Sequence, residues 1–90
     1  MNYPLDPILE AREKTHGDFA SVAAVAQGLK LRIHDAQPMQ DTRREAMEMI
    51  MTKIARILCG DDGVKDHWED IAGYARLIVR EIEDSSGKPS

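Results

Sequence analysis

Two pairs of side chains in this sequence have the types and spacing of metal ligands. Glu45 and Glu48 form one pair, and His67 and Asp70 form the other. On an α-helix, residues three positions apart lie on the same side. The stretch between the pairs is long enough for the rest of one helix, a glycine-rich turn and the start of another. Antiparallel packing would then group three carboxylates with an imidazole, which suits Mg²⁺ and its usual phosphate partners.

Each of these residues also has a purely structural interpretation. Glu45 and Glu48 could form a solvated helix edge that pairs with nearby basic side chains. His67 could be hydrogen-bonded within the core, and Asp70 could be a first-turn carboxylate favoured by the helix dipole. An aspartate at the edge of an apolar face is nevertheless costly without a partner.

Two basic residues follow the glutamates on the same helix. Lys53 and Arg56 could contact phosphate groups, and the arginine could do so with two parallel hydrogen bonds. The alternative is internal pairing with Glu45, Glu48 or Asp70. Both interpretations stay open at the level of the sequence.

A second candidate region is the segment His16-Gly17-Asp18, where a loop leads into a helix. Gly17 permits close approach of another backbone, and a helix N-terminus attracts anions. Alternatively, Asp18 simply caps the helix. Lys30, further along that helix, falls on its apolar side. It either extends its amine to solvent or points into the same cavity.

The composition limits the class of protein. Ninety residues make one small domain, whose modest core favours association into a homo-oligomer. A net charge of −4 argues against a nucleic-acid partner. A single cysteine excludes an intramolecular disulfide. The sequence contains no signal peptide and no apolar run long enough for a membrane span, so we expect a cytoplasmic protein without a membrane partner.

Apolar periodicity predicts an all-α fold, a compact bundle of one short and three longer helices. The expected helices cover residues 6–14, 18–34, 41–60 and 66–83. We expect a single domain over residues 1–83 and a disordered polar tail over 84–90. The large apolar side chains of these helices are expected to face the core, among them Phe19, Met47, Leu58, Trp68, Val79 and Ile82.

Three segments together resemble a known group of proteins: EKTHGDFA, EAMEMIMTKIARI and DHWEDIAGYARLI. They are similar to small phage and prophage helical proteins. That group looks related to the MazG-like, all-α nucleoside triphosphate pyrophosphatases and to phage domains associated with nucleotide modification. The resemblance spans most of residues 8–79. It implies an oligomeric helical bundle in which Mg²⁺ holds a triphosphate while water releases pyrophosphate.

The resemblance also implies roles for individual residues. Glu45 and Glu48 match the first metal motif, and Asp70, four residues before Tyr74, matches the aspartate of the second. His67 stands where the group has a glutamate, and an imidazole suits Zn²⁺ or Mn²⁺ better than Mg²⁺. The implied cofactor is therefore Mg²⁺ or Mn²⁺, with Glu48 and His67 as the catalytic residues.

Three functions follow as hypotheses. The first is metal-dependent hydrolysis of a nucleoside triphosphate or related phosphoanhydride. The second is a non-catalytic oligomer that sequesters a signalling nucleotide to counter host defence, without metal or turnover. The third is a structural or adaptor protein. The second hypothesis relies on cationic and aromatic side chains: His16, Lys30, Lys53, Arg56 and Tyr74.

Overall fold

The described part of the chain is all-helical, as predicted. A computed structural model describes residues 7–85 and contains four helices. They are α1 (Pro7–His16), α2 (Phe19–His34), α3 (Asp41–Cys59) and α4 (Lys65–Ser85). Because α1 and α2 meet at a bend, the same residues can be described as three helices of which the first is bent. None of these helices is long and apolar enough to cross a lipid bilayer.

Local signals account for the start of α2 and the end of α3. Asp18 is the N-cap of α2, where its carboxylate accepts a hydrogen bond from the backbone N–H of Ser21 at 3.0 Å. Gly60 ends α3, and its N–H donates to the Arg56 carbonyl at 2.9 Å. The last helix extends to Ser85, past the predicted end at residue 83. The predicted start of the first helix at residue 6 and most of the predicted tail lie outside the described residues.

The three long helices lie side by side, with α3 in the middle. α3 packs extensively against α2 and α4 and more lightly against α1, whereas α2 and α4 have no substantial contact with each other. Ala46 and Ala55 are both buried on α3. Their separation places them on opposite sides of the helix. The Ala55 side packs with Val22 and Ala26 of α2.

This arrangement is an open layer rather than the compact bundle that the sequence predicted. The radius of gyration is 16.4 Å, and the molecule measures 59 × 29 × 18 Å. A compact domain of this length would have a radius of gyration of about 12 Å. Few side chains are buried among the described residues: Val22, Ala26, Ile33, Ala46, Ala55 and His67.

Several large apolar side chains that were expected in the core are exposed instead. Phe19 is 81% exposed, and Trp68, Val79 and Ile82 of α4 are about half exposed. Met47 and Leu58 of α3 are exposed as well. The prediction was wrong because helical periodicity identifies an apolar side but not what covers it. Among the four described helices, α4 packs substantially only on α3, which covers one part of its circumference.

The end of α1 docks tightly on the end of α3. Gly17 has a φ of 78°, in the left-handed region. A Cβ atom at Gly17 would lie 2.6 Å from the Cβ of Cys59, and one at Gly60 would lie 2.5 Å from the carbonyl oxygen of Thr15. The N–H of Asp61 donates to that same carbonyl at 3.1 Å. Both glycines are therefore required for this contact.

We predict that Gly17→Ala destabilises the protein strongly. The left-handed conformation destabilises a residue that has a β-carbon by roughly 1–2 kcal/mol. The overlap of that β-carbon with Cys59 adds to the destabilisation. Gly28→Ala is the matched control, because an added Cβ there meets no atom within 4 Å. Because Gly28 lies in the middle of α2, Gly28→Ala should raise the free energy of unfolding by about 0.5–1 kcal/mol. Urea unfolding of both variants measures the difference, and equal stabilities would contradict the role assigned to Gly17.

Candidate anion-binding site

The docking of α1 on α3 places two histidines in contact. His67, in the first turns of α4, is 1% exposed, and its ring meets that of His16 edge to face with 4.6 Å between centroids. The Nε2 atom of His67 is buried and has no hydrogen-bond partner within residues 7–85. A buried polar atom without a partner is uncommon in native proteins and is expected where a ligand or water completes the site.

The surroundings of His16 are cationic. Burial is the main cause that lowers its pKa from 6.5, and repulsion from His67, Arg12 and Arg56 lowers the pKa further. The hydroxyl of Thr15 lies 2.6 Å from its Nδ1 atom. Three groups that carry or can carry positive charge thus act on one imidazole, which is an environment that favours an anion.

A pocket of about 320 Å³ opens beside this cluster, at the bend between α1 and α2. We call it the anion pocket. Its lining combines two arginines, one carboxylate, one glycine and three apolar side chains: Leu9, Arg12, Glu13, Gly17, Phe19, Val22 and Arg56. Phe19 and the two arginines therefore border a common space.

Arg56 is the pocket residue with the clearest unmet hydrogen-bonding capacity. Its Nε atom is buried and has no hydrogen-bond partner in the described part of the chain. An arginine without a carboxylate partner retains its ability to bind a phosphate group with two hydrogen bonds. The sequence predicted a phosphate-binding role for Arg56, and the structure places this residue beside His16, another predicted contact.

Asp18 lies next to the anion pocket, but its carboxylate is already used. It accepts the hydrogen bond from Ser21, which lowers its pKa below 3.8. This is the capping role that the sequence left open. A direct contact of Asp18 with a ligand stays a prediction. Lys30 is half-buried on α2 and does not line the anion pocket.

The predicted metal ligands are not brought together within one chain. Glu48 pairs with Arg44 at 3.3 Å, and Asp70 pairs with Lys53 at 2.9 Å. Among residues 7–85, no three histidine, cysteine, aspartate or glutamate side chains form a group that could hold a metal ion. In this structure Glu48, Lys53 and Asp70 form internal ion pairs, which was the alternative interpretation of their charges.

Glu45 and Tyr74 lie in a different place, a groove of about 740 Å³ between the start of α3 and the second half of α4. Asp41 and Glu81 also line it, so we call it the acidic groove. Glu81 accepts a hydrogen bond from the hydroxyl of Thr42 at 2.7 Å. The floor of the groove is apolar, formed mainly by Ala46, Leu77 and Ile78.

Sequence reasoning missed Arg12 and Phe19 as site residues. Arg12 precedes His16 by four positions on α1, so the i, i+4 spacing that places both on one side of the helix was a usable signal. Phe19 was assigned to the core because it fits the apolar period of α2. The position of the α1–α2 bend in the folded chain places Phe19 at the pocket and not in the core, and the sequence period does not reveal that position.

No protein-family model matches the chain, and no curated protein or solved structure is significantly similar to it. The resemblance carried by the three sequence segments therefore stays a prediction. The site has to be interpreted from its own geometry.

We predict a specific pH dependence of stability from His16. Because its pKa in the folded protein is below 6.5, the folded state disfavours its protonation. The free energy of unfolding should therefore fall as the pH drops from 6.5 through the folded pKa, and should not respond to His16 well above 6.5. His16→Gln should reduce the loss between about pH 7 and about pH 5.

Urea unfolding over this pH range compares the two proteins, and NMR titration of the His16 ring provides an independent check. Arg12→Gln removes one of the repulsive charges and should raise the pKa of His16 toward 6.5. A titration of His16 above 6.5 in the unaltered protein would contradict the assigned environment.

Proposed function

We propose that this protein binds a nucleotide-type phosphate anion in the anion pocket, without hydrolysing it. The observation that carries this proposal is the buried Nε of Arg56, which has no partner among the described residues and lies beside a pocket that Arg12 also lines. A phosphate group bound by the Arg56 guanidinium would give this side chain the anionic partner that it lacks among the described residues. It would also reduce the repulsion among Arg12, Arg56 and His16.

Phe19 supports a nucleotide rather than a simple inorganic anion. Its ring is 81% exposed at the pocket edge, where it lies near Leu9. Bases stack on exposed aromatic rings, and each stacked base contributes about 1–3 kcal/mol. The pocket thus offers separate environments for a flat ring system and for a phosphate group.

The acidic groove is larger but is a poorer candidate for the same ligand. Its charged lining consists of Asp41, Glu45 and Glu81, and all three carboxylates would repel phosphate. Tyr74 gives it an aromatic wall, yet no basic side chain lines it. The acidic groove has the larger volume, but the charges of the lining residues favour the anion pocket as the site for a phosphate ligand.

Hydrolysis is not part of the proposal, because the arrangement of the carboxylates gives it little support. Glu48 and Asp70 are engaged with Arg44 and Lys53, and Glu45 lies in the acidic groove with Tyr74. His67 has a buried ring against His16, which suits a role in supporting the pocket. Binding without turnover needs none of these residues as metal ligands.

We predict that Phe19→Ala and Arg12→Gln each weaken nucleotide binding while the fold is retained, because both side chains are exposed. Loss of stacking should weaken affinity roughly tenfold to a hundredfold. Loss of one guanidinium contact should weaken it about tenfold. Arg80→Gln removes the same charge from α4, outside the residues that line the pocket, and serves as the matched control. Isothermal titration with the nucleotide selected below measures these affinities.

A pooled panel of nucleoside phosphates, cyclic nucleotides and ADP-ribose compounds tests binding and turnover together. The pure protein is incubated with the panel in Mg²⁺, in Mn²⁺ and in EDTA, and bound and free pools are analysed by mass spectrometry. We expect one compound to be retained intact in all three conditions. Metal-dependent release of pyrophosphate would establish the hydrolase instead. No retention under any condition would leave the adaptor hypothesis.

A further inference from the structure

One side of the α3–α4 pair carries a row of apolar side chains along each helix, bordered by Arg43 near one end and by Lys14, Asp61 and Asp62 near the other. On α3 the positions 47, 51, 54 and 58 hold Met, Met, Ile and Leu, and on α4 the positions 68, 72, 75, 79 and 82 hold Trp, Ala, Ala, Val and Ile. Both sets follow helical spacing, so each set lies along one side of its helix. No charged residue interrupts either set.

The structure brings these two stripes onto the same side of the α3–α4 pair. Leu58 and Trp68 line one depression at one end of the pair, and Met47 and Ala75 line an apolar groove of about 440 Å³ nearer the other. Leu58 is 67% exposed, and Trp68 and Val79 are about half exposed. We call this surface the apolar face.

From this surface we propose that the protein is a two-fold symmetric dimer, in which the apolar face of one copy covers the apolar face of another. Two such helix pairs would form a four-helix bundle with a closed core. The proposal does not depend on the proposed ligand, because the apolar face and the anion pocket share no described lining residue.

The size of the apolar face fits a dimer interface. Helices of 19 and 21 residues are about 30 Å long, and two of them side by side are about 20 Å wide. The projected area of this footprint is about 600 Å². The solvent-accessible area is larger, because side chains project from the surface. A stable interface buries about 800 Å² on each partner.

The composition of the apolar face favours a second copy over a different protein. Permanent homodimer interfaces are the most apolar class and resemble a domain core that has been cut in half. Residues 7–85 lack such a core, since the buried apolar residues among them are one isoleucine, one valine and three alanines. A surface that must be covered for stability is best covered by a partner that is always present at equal concentration.

Sedimentation velocity with matched lysine substitutions tests the proposal. The unaltered protein should sediment as a dimer of the 10.1 kDa chain. Val79→Lys should weaken association roughly a hundredfold, because it buries an unpaired charge. Leu31→Lys is the control, since Leu31 is 62% exposed on α2, outside the apolar face. A monomer at all concentrations, or dissociation by Leu31→Lys and not by Val79→Lys, would overturn the proposal.

Thiol accessibility provides a second measurement in case Val79→Lys does not fold. In a Cys59→Ser background, Ala75→Cys places a thiol in the apolar face, and Ala24→Cys places one on exposed α2. Maleimide should modify the thiol at position 75 slowly at high protein concentration and faster on dilution. It should modify the thiol at position 24 quickly throughout. Equal and concentration-independent rates at both positions would overturn the dimer.

Discussion

The contact between the end of α1 and the end of α3 determines where the candidate site lies. Two glycines allow it: a β-carbon at Gly17 would overlap Cys59, and one at Gly60 would overlap the carbonyl of Thr15. That carbonyl accepts a hydrogen bond from Asp61, so the turn is held to the loop after α3 as well as to the helix. Because α3 is the described helix on which α1 packs, and only lightly, this close approach orients α1.

The charge distribution follows from this contact. His16 immediately precedes Gly17, so docking the turn on α3 presses the His16 ring against His67 and brings Arg12 near Arg56. Bringing these groups together costs electrostatic free energy, which is reflected in the lowered pKa of His16. Burial lowers that pKa as well and is the larger cause. Arg56 has no carboxylate partner among the described residues, and this unrelieved repulsion is what supports the proposed anion ligand.

Sequence reasoning identified the helices because their signals are local. Asp18 caps α2 through its own side chain, and Gly60 ends α3 through its backbone. The partners of the charged residues were not predictable in the same way. Glu48 had several basic neighbours within reach, and whether Asp70 meets Lys53 or a metal depends on the rotation of α4 against α3. That rotation is set by packing across the whole helix pair, which no single motif encodes.

The same limitation explains why burial was overestimated, and the error is informative. Periodicity correctly found the apolar sides of α3 and α4, but it could not reveal that one chain covers only part of them. Arg56 and Leu58 are two positions apart, so their side chains leave α3 about 200° apart around its axis. One lines the anion pocket and the other the apolar face. A second copy on the apolar face would therefore leave the pocket accessible, so assembly and ligand binding can proceed on opposite sides of the layer.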